Sequence, residues 1–286
     1  MTQRMIETGT DHLLANLTGG VLTLTFNRPE ARNALSGDLL QALGAQLSDA
    51  EINPDVRCVV VTGSGNAFCA GGDVKAMSDV NTKGAASPLE TLIHRQRLNQ
   101  RSTSGRLNKM PKPTLAVIPG PAAGAGLSIA LACDLRIMSS TAFMTTAFSK
   151  VGFSGDYGGT LFMSQLVGTA KAREWYFLSE RIGAEEAERL CLTNWVVAPE
   201  DLEQRATEIA QKLASGPTVA FSYMKENLAR ALTSADVHDC LDLEASHHIH
   251  CGGTADHKNA VVAFISKRAP VFEGTEGEGW NWIVGA

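Results

Sequence analysis

Short apolar runs alternate with amphipathic stretches along most of the chain, an order typical of an α/β protein. The runs His12–Leu17 and Val21–Phe26 flank Gly19-Gly20, and this arrangement predicts a β-hairpin with a tight turn. Ser36 precedes leucines at helical spacing, so we expect it to cap a helix that continues to about Ala50.

The order of a strand followed by a helix then recurs. Arg57–Thr62 predicts a buried strand, which leads into the glycine-rich loop Gly63–Asp73. The stretch Thr114–Cys133 carries no charge and is almost long enough to span a membrane. Its prolines and glycines instead favour a buried strand (Thr114–Ile118), a turn and a buried helix. A further strand, Leu135–Met138, then implies parallel pairing through right-handed crossovers.

The rest of the sequence divides the chain into an α/β core and a helical C-terminal region. Leu89–Lys109 predicts a long basic amphipathic helix, and Phe143–Ala147 a short strand. Beyond Thr160 the pattern is nearly all helical, with one last strand near Trp195–Ala198. We therefore expect an α/β core over residues 1–215 and a helical region over residues 216–286.

Composition narrows the functional class. The 286 residues include 25 Lys+Arg and 30 Asp+Glu, a net charge of −5, with no long run of one sign. A nucleic-acid-binding or polybasic membrane-surface protein would need a clustered positive face, so neither is expected. The start of the chain has Glu7 and Asp11 where a secretory signal would be apolar. The six cysteines form no C-x-x-C pair, and we expect reduced thiols in a cytoplasmic protein.

Two glycine-rich loops are candidates for chemistry. Phe68–Asp73 and Gly120–Gly126 each follow a predicted buried strand, and the second also opens a helix. Small residues let the backbone approach a ligand, and the first turn of a helix has N–H groups without partners. Two such N–H groups directed at one oxygen would form an oxyanion hole. Tight packing of a buried helix would favour the same residues, and the loops alone leave both interpretations open.

Five motifs occur in order along the chain. They are NRPEARNAL (Asn27–Leu35), FCAGGDVKAM (Phe68–Met77), GPAAGAGLSIALACDLRIM (Gly120–Met138), GDYGGT (Gly155–Thr160) and AFISKR (Ala263–Arg268). With these motifs the chain resembles the crotonase (enoyl-CoA hydratase/isomerase) superfamily over about residues 12–270. The resemblance implies an α/β crotonase-like spiral of strand–strand–helix units with a C-terminal helical oligomerisation region. It also implies acyl-CoA substrates, no cofactor beyond the coenzyme A of the substrate, no metal, and homotrimers that often pair as hexamers.

The resemblance assigns the oxyanion hole to the backbone N–H groups of Gly72 and Ala125. Hydratases of the family hold a water between two glutamates. By residue count those positions hold Ser128 and Phe148 here, and neither side chain can activate water as a carboxylate does. A standard syn-hydratase mechanism is therefore not expected.

Asp156 is the remaining candidate for proton transfer. In the isomerases that this chain resembles, including the epoxide isomerase type of phenylacetate degradation, an aspartate four residues after a glycine carries the proton. Here those residues are Gly152 and Asp156. Apolar neighbours would raise the pKa of this carboxyl, and Tyr157 is a weaker candidate as a hydrogen-bond donor. The alternative is that Asp156 caps the helix that starts near Gly159. A dehalogenase-like branch uses the aspartate as a nucleophile with a histidine whose position falls near Arg101, which makes that reaction the less favoured.

The resemblance also implies a binding site for coenzyme A. Arg28 and Arg32 would lie near the phosphates, although a solvated surface charge is the ordinary state of such residues. The other implied substrate-binding residues are Ala70, Asp73, Val74, Phe148 and Tyr157, with Phe264 and Lys267 reaching the ligand of a neighbouring subunit. Outside the family pattern are Cys240, His247, His248, His250, Cys251 and His257. Their spacing allows zinc, but we expect a helical interface without metal.

Together these features predict an isomerase of enoyl-CoA or related acyl-CoA thioesters that acts through a thioester enolate, with Asp156 moving the proton. Two alternatives stay open. One is another reaction of the superfamily, such as hydration of an enoyl-CoA. The other is an acyl-CoA-binding protein without catalysis.

Overall fold

A seven-stranded mixed sheet organises the chain in the computed structural model, which describes residues 3–74, 78 and 87–274. The strands are β1 (Arg4–Ile6), β2 (Leu13–Thr18), β3 (Val21–Phe26), β4 (Cys58–Gly63), β5 (Thr114–Ile118), β6 (Ala122–Ala123), β7 (Leu135–Ser139), β8 (Phe143–Thr145), β9 (Ile182–Gly183) and β10 (Trp195–Val197). The helices are α1 (Gly37–Ile52), α2 (Leu89–Gln100), α3 (Arg106–Lys109), α4 (Ala125–Ala132), α5 (Gly159–Leu178), α6 (Ala184–Arg189), α7 (Leu202–Ala214), α8 (Thr218–Ala231), α9 (Val237–Gly253) and α10 (Ala255–Ile265).

The strand order in the large sheet is β1-β2-β3-β4-β5-β7-β10. The first three strands pair antiparallel, and every pairing from β3 to β10 is parallel. The predicted hairpin is confirmed, since Thr18 lies opposite Val21 and both glycines of the turn have positive φ. A second sheet of order β6-β8-β9 lies beside the first, and the sequence pattern did not predict β6 or β9.

Both faces of the central parallel strands β4 and β5 are buried, as expected for parallel strands covered by helices. Along β4, Val59 and Val61 belong to the main core, while Cys58 and Val60 face a second apolar cluster. That second cluster includes residues of α7, such as Ile209, so this helix covers the sheet face opposite the main core. Because successive side chains of a strand point to opposite faces of the sheet, β4 contributes apolar side chains to the layer on each face.

The helices agree with the sequence pattern in two places and differ in one. Ser36 accepts a hydrogen bond from the N–H of Leu39 and so caps α1. Every residue of α4 is buried, as its uncharged sequence predicts. The single helix expected over Leu89–Lys109 is instead interrupted by a π-helical turn, Arg101–Gly105. Hydroxyls inside this turn bond to the preceding carbonyls, as Thr103 does to Asn99.

The described part of the C-terminal region, residues 216–274, is mostly helical, in agreement with the expected tail. Its helices expose large apolar side chains in the single chain, among them Leu228 (68 %) and Phe264 (85 %). In the ranges that the structure covers, no helix combines the length and the apolar character needed to cross a bilayer.

Candidate active site

The two glycine-rich loops meet at the ends of β4 and β5. The carbonyl of Pro121 accepts the N–H groups of Phe68 and Cys69, and the N–H of Ala123 bonds to the Cys69 carbonyl at 2.9 Å. The contact requires glycine, because a Cβ on Gly120 would lie 1.9 Å from the carbonyl oxygen of Asn66. The sequence therefore brings these loops into direct contact along their backbones.

Two backbone donors lie at this contact. Ala125 is the first residue of α4, and Gly72 follows Gly71, whose added Cβ would lie 3.4 Å from the Ala125 nitrogen. Among the described residues, neither the Gly72 N–H nor the Ala125 N–H has an acceptor. These two N–H groups are thus available to an acceptor outside the described residues, as the predicted oxyanion hole requires.

Asp156 lies in a tightly turned loop between β8 and α5. Its Oδ1 atom is buried and has no hydrogen-bond partner among the described residues. Burial raises the pKa of this carboxyl to about 6. The Asp156 side chain does not cap the following helix, because Gly158 is the N-cap and, within the described part of the chain, no side-chain cap hydrogen bond is found at that end. Only the Asp156 backbone carbonyl accepts the N–H of Gly159, at 3.0 Å.

Burial, together with the charge of Asp156, raises the pKa values of two neighbouring residues, Cys69 on the first glycine-rich loop and Tyr157 on the loop of Asp156 itself. Burial raises the pKa of the Cys69 thiol to about 12, and the Asp156 charge adds to the rise. The sulfur of Cys69 in turn accepts the N–H of Gly71, at 3.4 Å. Burial also raises the pKa of Tyr157, again with a contribution from Asp156. The Asp156 carboxyl thus influences a residue of each of the two loops.

A glutamine outside the motifs fixes the backbone beside Asp156. The N–H of Tyr157 donates to Oε1 of Gln100 at 2.7 Å. Gln100 ends α2 immediately before the π-helical turn, and Tyr157 has φ of 49°, in the left-handed region. Sequence analysis did not single out Gln100, since only the fold brings it to a residue 57 positions away.

The positions expected for the two glutamates of a hydratase are occupied by buried, non-ionisable side chains. Ser128 is 1 % exposed and Phe148 is 6 % exposed. The Ser128 hydroxyl donates to the carbonyl of Gly124 at 3.2 Å. The Phe148 ring stacks on Tyr176, with centroids 5.7 Å apart, and Tyr176 is a second residue that sequence analysis missed.

The predicted coenzyme A residues near the N-terminus form one cluster. Arg28 donates from Nη2 to the Asp73 carboxylate at 3.0 Å and from Nη1 to the Ala34 carbonyl. The Ala70 N–H bonds to the carbonyl of Arg32, whose own side chain is exposed. Val74, after Asp73, is 62 % exposed.

Asn33 ties this cluster to the glycine-rich loop. Its Oδ1 accepts the Arg28 N–H at 2.9 Å, and its Nδ2 donates to the carbonyls of Ala67 and Ser64. The side chain is fully buried, so these bonds fix the loop from inside. Sequence analysis placed Asn33 in a motif without assigning it this role.

Two of the predicted binding residues belong to the end of the helical region. Phe264 lies in α10 and Lys267 in the turn after it, and both are exposed in the single chain. Their expected contact with the ligand of another subunit stays a prediction.

Comparison with known proteins identifies the family. The family model for enoyl-CoA hydratase/isomerase matches residues 16–275. The chain belongs to the enoyl-CoA hydratase/isomerase family. It is 34 % identical to the 1,2-epoxyphenylacetyl-CoA isomerase of Escherichia coli K12, over 92 % of this chain and 99 % of that protein. It is also 34 % identical to the short-chain-enoyl-CoA hydratase of Clostridium acetobutylicum, over 90 % and 96 % of the two chains.

The fold agrees with that of solved members of the enoyl-CoA hydratase/isomerase family. The crystal structure of a putative enoyl-CoA hydratase/isomerase from Mycobacterium abscessus superposes with a TM-score of 0.86 at 31 % identity. The match covers 92 % of this chain and all of the other. The expected crotonase fold is therefore confirmed, and so is membership of an acyl-CoA-processing family.

One histidine of the histidine- and cysteine-rich C-terminal cluster packs and bonds between two helices. His247 stacks on Tyr223 at 4.3 Å, with Nδ1 bonded to Asn227 Oδ1 and Nε2 3.3 Å from Glu226. Across the residues that the structure describes, no three His, Cys, Asp or Glu side chains come together as metal ligands would.

Proposed function

We propose that this protein is an enoyl-CoA isomerase that shifts a double bond, or opens a related epoxide, through a thioester enolate. The observation that carries the proposal is the buried Oδ1 of Asp156, which has no partner among the described residues. It is supported by the buried Ser128 and Phe148 at the positions where the resemblance expects the two hydratase glutamates. A carboxyl with a pKa of about 6 is ionised at neutral pH and still accepts a proton readily.

The reaction requires one proton to move between two carbons of the acyl chain. The Asp156 carboxylate removes a proton from C2 of a 3-enoyl thioester and becomes a carboxylic acid. The electron pair delocalises onto the thioester oxygen, which accepts hydrogen bonds from the N–H groups of Gly72 and Ala125. Asp156 then returns the proton to C4, and the conjugated 2-enoyl thioester forms without a net change in oxidation.

Substrate binding is proposed to divide between two parts of the chain. Arg32 and the backbone near Ala70 would hold coenzyme A, with Arg28 and Asp73 supporting the loop and Val74 bordering it. Phe148 and Tyr157 would line the acyl site. In a homotrimer or hexamer held by the helical region 216–286, Phe264 and Lys267 would contact the ligand of the neighbouring subunit.

The experiment is to incubate purified protein with a 3-enoyl-CoA and to score conjugated 2-enoyl-CoA and its hydrated product in the same mixture. Isomerisation without hydration is the expected result. Rapid hydration would instead support the activity named for the Clostridium acetobutylicum relative. Binding of acyl-CoA esters without turnover of any of them would support a binding protein.

A further inference from the structure

Tyr176 lies beneath the loop that carries Asp156. A Cβ added to Gly155 would be 3.0 Å from Cε1 of Tyr176, and one added to Gly159 would be 2.6 Å from the phenol oxygen. A Cβ on Gly159 would also lie 2.2 Å from Ser128 Oγ, so Tyr176 and Ser128 together leave no room for a side chain at this position. At Gly155 the contact is tight, and the φ of 114° also favours glycine.

The same phenol connects the two positions at which hydratases carry glutamate. Its ring stacks on Phe148 at 5.7 Å with an interplanar angle of 13°. Its hydroxyl and that of Ser128 both lie against Gly159, where an added Cβ would be 2.6 Å and 2.2 Å from the two oxygens. The Ser128 hydroxyl donates to the Gly124 carbonyl. Phe148 Cε1 also lies 3.8 Å from the Cβ position of Gly124, the residue before the Ala125 donor.

The surroundings of Ser128 and Phe148 are poor in groups that could hold a water molecule. An ordered water needs two to four polar partners. The Phe148 ring supplies none, the Ser128 hydroxyl already donates to the Gly124 carbonyl, and the Tyr176 ring is stacked on Phe148.

We propose that Tyr176 is a specificity-determining residue that keeps water away from Asp156, so that the abstracted proton returns to the substrate before it exchanges with solvent. This inference rests on the proposed isomerase function. The bonds that form and break are those of the isomerisation itself. The C2–H bond breaks to give the Asp156 carboxylic acid, and its O–H bond then breaks as the C4–H bond forms.

The test is isomerisation in deuterated water, with the deuterium content of the conjugated product measured by mass spectrometry early in the reaction. The wild-type product is expected to carry little deuterium. Tyr176→Phe keeps the ring that stacks on Phe148 and is expected to match the wild type. Tyr176→Ala opens the space to water, and its product is expected to carry several-fold more deuterium per turnover. A merely structural role would lower turnover and the Tm without changing the label in each product molecule.

The outcomes separate this inference from the function on which it rests. If the wild type forms no conjugated product from any 3-enoyl-CoA, the proposed isomerase function is wrong. If the wild type isomerises but its product is already fully labelled, or if Tyr176→Ala gives no more label than the wild type, only the role of Tyr176 is wrong. Tyr176→Leu, which fills part of the space, replaces the alanine variant if that variant does not fold, and its label is expected to lie between the two extremes.

Discussion

The N–H of Tyr157 donates a 2.7 Å hydrogen bond to Oε1 of Gln100, a residue 57 positions earlier in the chain. This bond holds the peptide next to Asp156, whose carboxyl makes no hydrogen bond through Oδ1 to a described residue. We therefore expect the backbone to orient the carboxyl, with Gln100 as a positioning residue for it. Its location at the start of a π-helical turn agrees with the frequent occurrence of such turns at functional sites.

Gln100→Leu is expected to lower kcat with little change in KM. The variant leaves the Tyr157 N–H without its acceptor, and a displacement of about 1 Å at a catalytic group can cost roughly 100-fold in rate. Gln100→Glu keeps an oxygen in the same place and is expected to restore most of kcat. Its negative charge should also raise the apparent pKa of Asp156 in the rate profile.

Gln204→Leu provides the matched control, because Gln204 is exposed and its side chain bonds to Glu208 on the same helix. Steady-state kinetics of the three variants measure the effect. An unchanged kcat in Gln100→Leu would show that the hydrogen bond does not orient the carboxyl.

The pH profile follows from the burial of Asp156. Proton abstraction needs the ionised carboxylate, and burial raises the pKa of this carboxyl to about 6. A plot of kcat/KM against pH is therefore expected to rise through an apparent pKa near 6 and to level off above it. A profile that shows no ionisation in this range would mean that another group accepts the proton.

Stability gives an independent measurement of the same pKa. The folded value, about 6, exceeds the ordinary value of 3.8, so the folded state binds this proton more tightly than the unfolded state. The resulting stabilisation is fully present below the unfolded pKa and is lost as the pH rises through the folded pKa. Relative to Asp156→Asn, the free energy of unfolding of the wild type should fall between about pH 4 and pH 7, by at most about 3 kcal/mol. Chemical denaturation of both proteins at several pH values measures this difference, and parallel curves would contradict the raised pKa.

Ala125→Val tests the oxyanion hole. The added methyl groups would lie at the first residue of α4, beside the N–H that is proposed to bind the thioester oxygen. Loss of one such donor typically costs about 100-fold or more in rate. Ala130→Val adds the same atoms to the same buried helix and controls for overpacking. Full activity in a folded Ala125→Val protein would contradict this placement of the hole.

Arg32→Ala is expected to raise the KM for acyl-CoA substrates while leaving kcat unchanged. The Arg32 side chain is exposed and bonds to no described residue, whereas that of Arg28 is held by Asp73 and Ala34. Loss of a hydrogen bond from a charged group corresponds to roughly a tenfold weaker affinity or more. A truncated thioester without the nucleotide part of coenzyme A serves as the control substrate, and its KM should not change. An equal increase for both substrates would place the role of Arg32 elsewhere.

Much of the fold follows from local sequence. The strand Thr114–Ile118 was predicted with its observed bounds, since an uncharged run between Pro113 and Pro119 permits little else. The Gly19-Gly20 hairpin was predicted from its turn residues. The strands β6 and β9 were missed because two residues carry no periodic signal, and only their pairing through β8 makes them a sheet.

The residues of the candidate site likewise divide into those with a local sequence signal and those without one. The residues on glycine-rich loops were predicted because those loops have a recognisable sequence. Gln100 and Tyr176 were missed because each acts through contacts with residues far away in sequence. The sequence signal for Tyr176 was the pair of glycines at positions 155 and 159, where the Asp156 loop packs closely against other side chains.

The central claim is that Asp156 alone carries the proton. The direct measurement is the rate at which Asp156→Asn converts a 3-enoyl-CoA to the conjugated isomer, compared with the wild type and with Asp201→Asn, an exposed control. A folded Asp156→Asn protein is expected to lose at least about 100-fold in kcat, because removal of a general base costs this much or more. Wild-type turnover in that variant would contradict the account.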